Sequence, residues 1–352
     1  MSIRNRLVMP AMGTNYGHEN GSVSQRTINY YEARAKGGAG LVISENMTVD
    51  RFVSKSSIRM LCIDDYRFLP GLRELAAAVQ RHGAKFAVQL HHGGRVAKMS
   101  LTKTQPVAPS VIPGAAGIVP RELTTGEIAG IVVHFAASAE LAKRAGADGV
   151  EIHSAHNNLI TQFLCRAHNK RQDAYGGELR NRARLLLEII GAMKKSCGED
   201  FPVWCRINGI EYGTQDGFTL EESLEVARMA QDAGSDAIHV SSFPIGSWRL
   251  PPMAEPPGNI VHLAEAIKQA VSIPVIAVGK ITPEVAENVL RDGKADLVAF
   301  GKALIADPDL PNKLSSGKQA DIIACIGCLN CHNTLRNFGT EDGYVRCAVN
   351  TM

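Results

Sequence analysis

Aromatic residues are scarce in this chain: they make up 5% of its 352 residues, with two tryptophans. That argues against a base-stacking surface for nucleic acid. A basic stripe is absent too, because 38 Lys and Arg are intermixed with 35 Asp and Glu, for a net charge of +3. No apolar run approaches the roughly 20 residues of a membrane-spanning helix. The opening MSIRNRLVMPAMG holds a very short apolar stretch broken by proline, too short for a secretion signal. The chain is therefore read as cytoplasmic, with no membrane or nucleic-acid partner. No G-x-G-x-x-G occurs, so no dinucleotide-binding βαβ unit is expected within these residues.

What is present is a large apolar fraction, 45%, and one recurring junction. AKGGAGLVI, AGADGVEIH, AGSDAIHVS and DGKADLVAF each follow a helix-like stretch, place a glycine, and continue as a short apolar run. Glycine after a helix suits a left-handed cap, and a continuous apolar run suits a parallel strand buried on both faces. With the runs at 6–9, 85–90, 202–207 and 274–278, the runs at 41–44, 149–152, 237–240 and 297–300 give eight candidate strands. Helical patterns over 179–195 and 220–233 lie between them. The pattern predicts an α/β fold, a TIM (β/α)₈ barrel with its site at the C-terminal ends of the strands. Two long connections, 99–122 after the third strand and the proline-rich 243–259 after the sixth, are expected to overhang that site. The barrel is expected over residues 1–310 and a small cysteine-rich segment over 311–352.

That segment carries CIGCLNC and a fourth cysteine in YVRCAVN: Cys325, Cys328, Cys331 and Cys347. Two short gaps and a longer one let four thiolates converge on iron–sulfur or zinc. Cys62, Cys165, Cys197 and Cys205 are scattered, and are expected to be buried free thiols.

The strand ends carry the remaining chemistry. Gln89 ends the third, His153 the fourth with His156 three residues on, and Arg206 lies near the end of the fifth. Two histidines where a strand opens into a loop can point two ring N–H donors at one oxygen. Gly279–Lys280 and Gly301–Lys302 end the seventh and eighth strands, where barrels bind phosphate.

The stretches YYEARAKGGAGLVI, QLHHGGR, EIHSAHNNLITQFLCRAHNKRQDAYGG and DLVAFGKALIADPDLPNK resemble the old yellow enzyme class of flavin reductases. With CIGCLNC the likeness is to its iron–sulfur branch, the 2,4-dienoyl-CoA reductase, enoate reductase and trimethylamine dehydrogenase group. The resemblance implies FMN in the barrel and a [4Fe–4S] cluster on Cys325, Cys328, Cys331 and Cys347. It implies that Ala11, Met12 and Gly13 line one flavin edge, that Asn46 lies beside the ring, and that Gln89 and Arg206 meet its pyrimidine end. Gly279, Lys280, Gly301 and Lys302 would hold the phosphate, and His153 and His156 a substrate carbonyl. NAD(P)H and FAD would act through a further domain or an electron-donor subunit. A homo-oligomer stays open.

The sequence departs from the family at Asn158, where the usual proton-donating tyrosine is missing; Tyr16, Tyr212, His92 or water are the substitutes considered. Cys165 replaces a serine and is expected to be silent. The expected activity is reduction of the C=C bond of an α,β-unsaturated carbonyl. The alternatives are an amine dehydrogenase passing electrons outward through the cluster and a non-catalytic electron-transfer subunit.

Overall fold

A computed structural model describes residues 1–114, 117–244, 256–335 and 343–350. Eight strands form a closed parallel barrel in sequential order. They are β1 (Leu7–Met9), β2 (Leu41–Thr48), β3 (Lys85–His91), β4 (Gly149–Ser154), β5 (Val203–Tyr212), β6 (Ile238–Pro244), β7 (Val275–Ala277) and β8 (Leu297–Ala299). The helices that follow them are α1 (Gln25–Lys36), α2 (Leu69–Gln80), α3 (Thr125–Arg144), α4 (Leu179–Cys197), α5 (Leu220–Asp232), α6 (Val261–Ala270), α7 (Pro283–Arg291) and the short α8 (Lys302–Ala306). Each expected strand is present. So are the left-handed glycines between helix and strand: Gly38, Gly146, Gly234 and Gly293 all have positive φ.

Three strands run further than their apolar runs, β2 through Thr48, β5 through Tyr212 and β6 through Pro244. Their added residues are largely polar, so the hydrophobic signal stops while the ladder continues. Register shifts between Ile43 and Asn46 and between Asn208 and Glu211 accompany this change. The extra turns of strand build the rim on which the site sits.

Apolar burial has two layers. Val8, Leu41, Ile43, Ala87, Trp204, Ile276 and Ala299 pack together as the inner cluster, drawn from six strands. The larger cluster fills the space between strands and helices. The scattered Cys62, Cys165, Cys197 and Cys205 are buried free thiols. Two helices open with a full capping box, Thr124 with Glu127 and Thr219 with Glu222, which satisfies their first N–H groups.

The connection 99–122 holds a short helix, Met99–Thr102, and a parallel pair, Val107–Ala108 with Arg121–Glu122. Buried Arg171 ties it down by donating to the carbonyls of Pro109 (3.1 Å) and Leu123 (2.6 Å). Most of the other expected overhang, 243–259, lies outside the described residues. Among the described residues, no helix is long and apolar enough to cross a membrane.

The polypeptide after β8 returns to the barrel mouth. Val345 N–H donates to Thr14 O (3.0 Å), the Tyr16 hydroxyl donates to Val345 O (2.7 Å), and the Asn15 amide donates to Gly343 O. The Arg26 guanidinium lies between the Tyr16 and Tyr344 rings, 4.2 and 4.0 Å from their centres.

Two glycines separate backbone strain from close packing. A Cβ on Gly37 would fall 1.8 Å from the Pro308 carbonyl oxygen, although its φ of −69° is ordinary. Gly146 has φ +89° with open space around it. Gly146→Ala should cost about 1 kcal/mol and Gly37→Ala about 3 kcal/mol or more, read from urea unfolding. Equal losses would show that the contact at Pro308 relaxes freely.

Candidate active site

Strand register assembles the site from residues far apart in sequence. Asn46 pairs with Gln89, Gln89 with Glu151, His153 with Arg206, Arg206 with His239, and Asn208 with Ser241. These pairs make a polar layer above the apolar inner cluster.

Glu151 is its centre and is fully buried. It accepts hydrogen bonds from Gln89 Nε2 (2.6 Å), Trp204 Nε1 (2.8 Å) and His239 Nδ1 (2.7 Å). Burial alone would raise its pKa, but His239, Arg206 and Trp204 together hold it below the usual carboxylate value. Burial lowers the pKa of His239 against the pull of Glu151, so we read a neutral ring donating its Nδ1–H. Its Nε2 has no partner. Arg206 lies in the same interior, donating to Ala11 O and to Ser241 Oγ, both at 3.3 Å. Its Nε is buried without a partner.

His153, at the end of β4, is fixed by Asn158. The Asn158 amide donates to Ala155 O (3.0 Å) and to His153 Nε2 (2.9 Å). Because Nε2 accepts, the ring proton belongs on Nδ1, which is buried without a partner. His156 Nε2 lies 2.7 Å from Ser241 Oγ. The two rings meet edge to face, 5.1 Å between centres, and His91 lies 5.5 Å from His153. Burial first, then neighbouring imidazoles and the Arg206 guanidinium, lowers both His153 and His156 well below the ordinary histidine value, so both are neutral. His156 and Asn157 are held at φ +59° and +62°. Two successive left-handed non-glycine residues carry a conformational cost that the surrounding contacts must offset.

Beside this group lies a cavity of about 490 Å³. Its lining includes Met12, Arg206, Gly279, Lys280, Gly301 and Lys302, so the structure brings six of the expected cofactor residues together. A Cβ on Gly279 would fall 2.3 Å from Ile260 Cγ1, and one on Gly301 3.3 Å from Met12 Sδ. Ala11 adjoins through its bond to Arg206, and Gly13 lies against Asn46 Oδ1. Gln89 is instead turned to Glu151, with its amide nitrogen already used.

Cys325, Cys328, Cys331 and Cys347 line one small cavity. Lys302 and Cys325 line both cavities, which places the four thiols next to the glycine–lysine pocket. Burial pushes the Cys331 thiol up, opposed by Lys302.

Of the considered proton donors, Tyr16 is committed to Val345 O. His92 accepts at Nδ1 from Gly94 N–H (3.1 Å), and burial takes it down to about 3. Tyr212 is exposed at the end of β5. Sequence reasoning missed Glu151, His239 and Ser241. A glutamate inside GVEIH, a run expected to be buried on both faces, was the available signal.

A closed parallel barrel with imidazole and guanidinium groups on its rim, beside a glycine–lysine pocket, is the arrangement of barrels of the old yellow enzyme type. The chain belongs to the NADH:flavin oxidoreductase / NADH oxidase family, which matches residues 1–321. It is 45% identical to a NADH oxidase of Thermoanaerobacter brockii, over 99% of this chain and 54% of that protein. It is 37% identical to a cinnamate reductase of Clostridium sporogenes, over 99% of this chain and 56% of that protein. A 2-naphthoyl-CoA reductase in complex with 2-naphthoyl-CoA superposes with a TM-score of 0.94 at 30% identity, covering 99% of this chain and 55% of that one. The likeness is to the iron–sulfur branch of the class, and the chain spans about half the length of these relatives.

His91 provides a pH test. Among the described residues both ring nitrogens lack partners, and burial takes its pKa down to about 3. The unfolded chain, at about 6.5, binds the proton first as pH falls. The neutral ring's stabilising share is therefore complete above pH ~6.5 and is lost as pH falls toward 3. In His91→Gln, stability should fall less steeply across that window, by up to about 1.4 kcal/mol per pH unit. Parallel urea-midpoint profiles for the two proteins would refute this.

Proposed function

We propose that this chain is the FMN-binding barrel, residues 1–310, and iron–sulfur segment, residues 311–352, of an ene-reductase. Its substrate is an α,β-unsaturated carbonyl: an enone, an enoate or an enoyl-CoA. The observation that carries the reading is His153 Nδ1, a buried donor with no partner among the described residues, beside the ring of His156. A substrate carbonyl oxygen would complete it. Two of the similar proteins are named for the reduction of cinnamate and of 2-naphthoyl-CoA, conjugated acyl compounds of the same kind.

The residues fit FMN. A ring edge suits Met12, Gly13 and Asn46, while the orphaned Arg206 Nε seeks an acceptor. A phosphate suits Gly279, Lys280, Gly301 and Lys302, where a side chain on either glycine would crowd the cavity lining. Bound there, FMN would supply hydride chemistry toward the β-carbon of the substrate. The residues do the rest. His153 and His156, both neutral, bind the carbonyl oxygen as hydrogen-bond donors and hold the charge that develops on it. Asn158 keeps the His153 proton on Nδ1. Arg206, kept charged by buried Glu151, supplies fixed positive charge at the cofactor end of the site.

The four cysteines fit a [4Fe–4S] cluster, which supplies one-electron relay when bound. All four line one small cavity, and an all-thiolate donor set suits an iron–sulfur core. Electrons would come from a donor domain or subunit carrying FAD or NAD(P)H.

Anaerobically purified protein should hold flavin and about four irons per chain, and in its reduced form should saturate an enone, enoate or enoyl-CoA. His153→Ala and His156→Ala should each slow that step by about 10²–10³ while flavin content stays constant. Unchanged enone kinetics in the double variant would refute the donor pair. Reduction of the flavin by an amine instead would establish the dehydrogenase reading.

A further inference from the structure

A second group of metal-ligating side chains lies away from both cavities. The ligand atoms of Cys165, His168 and Glu211 all lie within 4.8 Å of one another, and all three residues are buried. None of them lines the glycine–lysine cavity or the cavity of the four cysteines. Their convergence is built by backbone. The N–H groups of His168 (3.0 Å) and Asn169 (2.9 Å) both donate to Cys165 O, a tight turn that sets Cys165 and His168 side by side. Glu211 comes from the rim of β5, beyond the register shift at Asn208. Asp216 O accepts from Ala167 N–H (3.0 Å) and lies 3.8 Å from Cys165 Sγ, so the two loops are joined at the group itself.

We propose that Cys165, His168 and Glu211 form a site for a soft divalent cation of the zinc type. A thiolate, an imidazole and a carboxylate are the donor classes zinc takes, and three protein ligands leave one position open. Asp216 O or water completes the shell. On binding, the Cys165 thiol gives its proton to solvent and the sulfur bonds the metal; no oxidation or reduction occurs. The thiol at position 165, silent by sequence reasoning, thereby gains a partner set.

One neighbour opposes the ion. Arg95 engages both ring nitrogens of His168, its Nη1 3.0 Å from Nδ1 and its Nη2 3.2 Å from Nε2. The guanidinium must release one ring nitrogen before a cation enters, so the site is tuned to moderate affinity. It is also wired to the histidine pair. Asn208 Nδ2 donates to Glu211 Oε1 (3.4 Å), and Asn208 Oδ1 accepts from the His156 backbone N–H (3.2 Å). Ligation of Glu211 withdraws that acceptor from the residue that holds the His156 turn.

Zinc uptake by the whole chain tests this, measured by equilibrium dialysis as a difference between variants. Wild type should take up about one zinc ion per chain more than Cys165→Ser or His168→Gln. Glu211→Gln, which keeps shape and removes charge, should weaken the uptake at least about tenfold, and Arg95→Gln should tighten it. In a Cys328→Ser background, zinc-edge X-ray absorption should show one sulfur near 2.3 Å among nitrogen and oxygen neighbours. Equal uptake by wild type, C165S and H168Q would overturn the site, as would a shell of several sulfurs in that background.

Discussion

The carboxylate of Glu151 is the interaction on which the active end of the barrel depends. A charge buried this completely is destabilising unless it is paired and hydrogen-bonded. Here three different strands answer it, through Gln89, Trp204 and His239, each at 2.6–2.8 Å. Removing one partner from such a buried group typically costs about 3–5 kcal/mol, far more than an exposed ion pair contributes. The network therefore works less as a source of net stability than as a constraint on which side chains share one level of the barrel. Its second consequence is electrostatic. Arg206 is buried in the same layer, and Glu151 supports its charged form where burial alone would oppose it.

From Arg206 the constraint spreads outward. Its Nη1 reaches Ala11 O after β1, and its Nη2 shares Ser241 Oγ with His156. The histidine pair is thus located by two supports, Asn158 on one side and Ser241 on the other. On another flank Thr14 follows Met12 and Gly13, and its N–H and hydroxyl both donate to buried Glu45. Burial brings Glu45 up to about 7 despite those bonds. Thr14 O also accepts Val345 N–H, two residues before Cys347 in sequence. The loop expected at the flavin edge is therefore held between a strand of the barrel and the cysteine segment.

The fold was legible because it repeats. Four helix–glycine–strand junctions announced four strands, and the left-handed φ at Gly38, Gly146, Gly234 and Gly293 is the physical content of that signal. Strand ends were less legible. SENMT after Ile43 and NGIEY after Ile207 are polar, so hydrophobic pattern reads them as loop, yet the ladder carries on to Thr48 and Tyr212. Polar strand residues at a barrel rim carry function instead of core, and a core-seeking reading stops short of them. His153, His156 and Arg206 stood out as unusual groups at strand ends. Ser241 did not, because one serine after an apolar run carries no signal. The Cys165–His168–Glu211 group was invisible for a different reason: Glu211 is brought to the turn by the pairing of β5 with β4, over more than forty residues of sequence.

Asn158 shows why a family pattern alone misleads at this site. Where the pattern has a tyrosine that delivers a proton, this chain has an amide that can deliver none. The structure gives that amide a different task, since its two N–H bonds are spent on Ala155 O and His153 Nε2. A side chain that fixes a tautomer must stay in place, whereas a proton donor must lose and regain its proton each turnover. One residue serves only one of these needs. Tyr16 is held by Val345, His92 by Gly94, and Tyr212 faces solvent at the rim. On the proposed reading, the α-carbon proton then falls to water entering the cavity. An enzyme built this way gains a sharply defined carbonyl donor and leaves the stereochemistry of protonation to whatever orders that water.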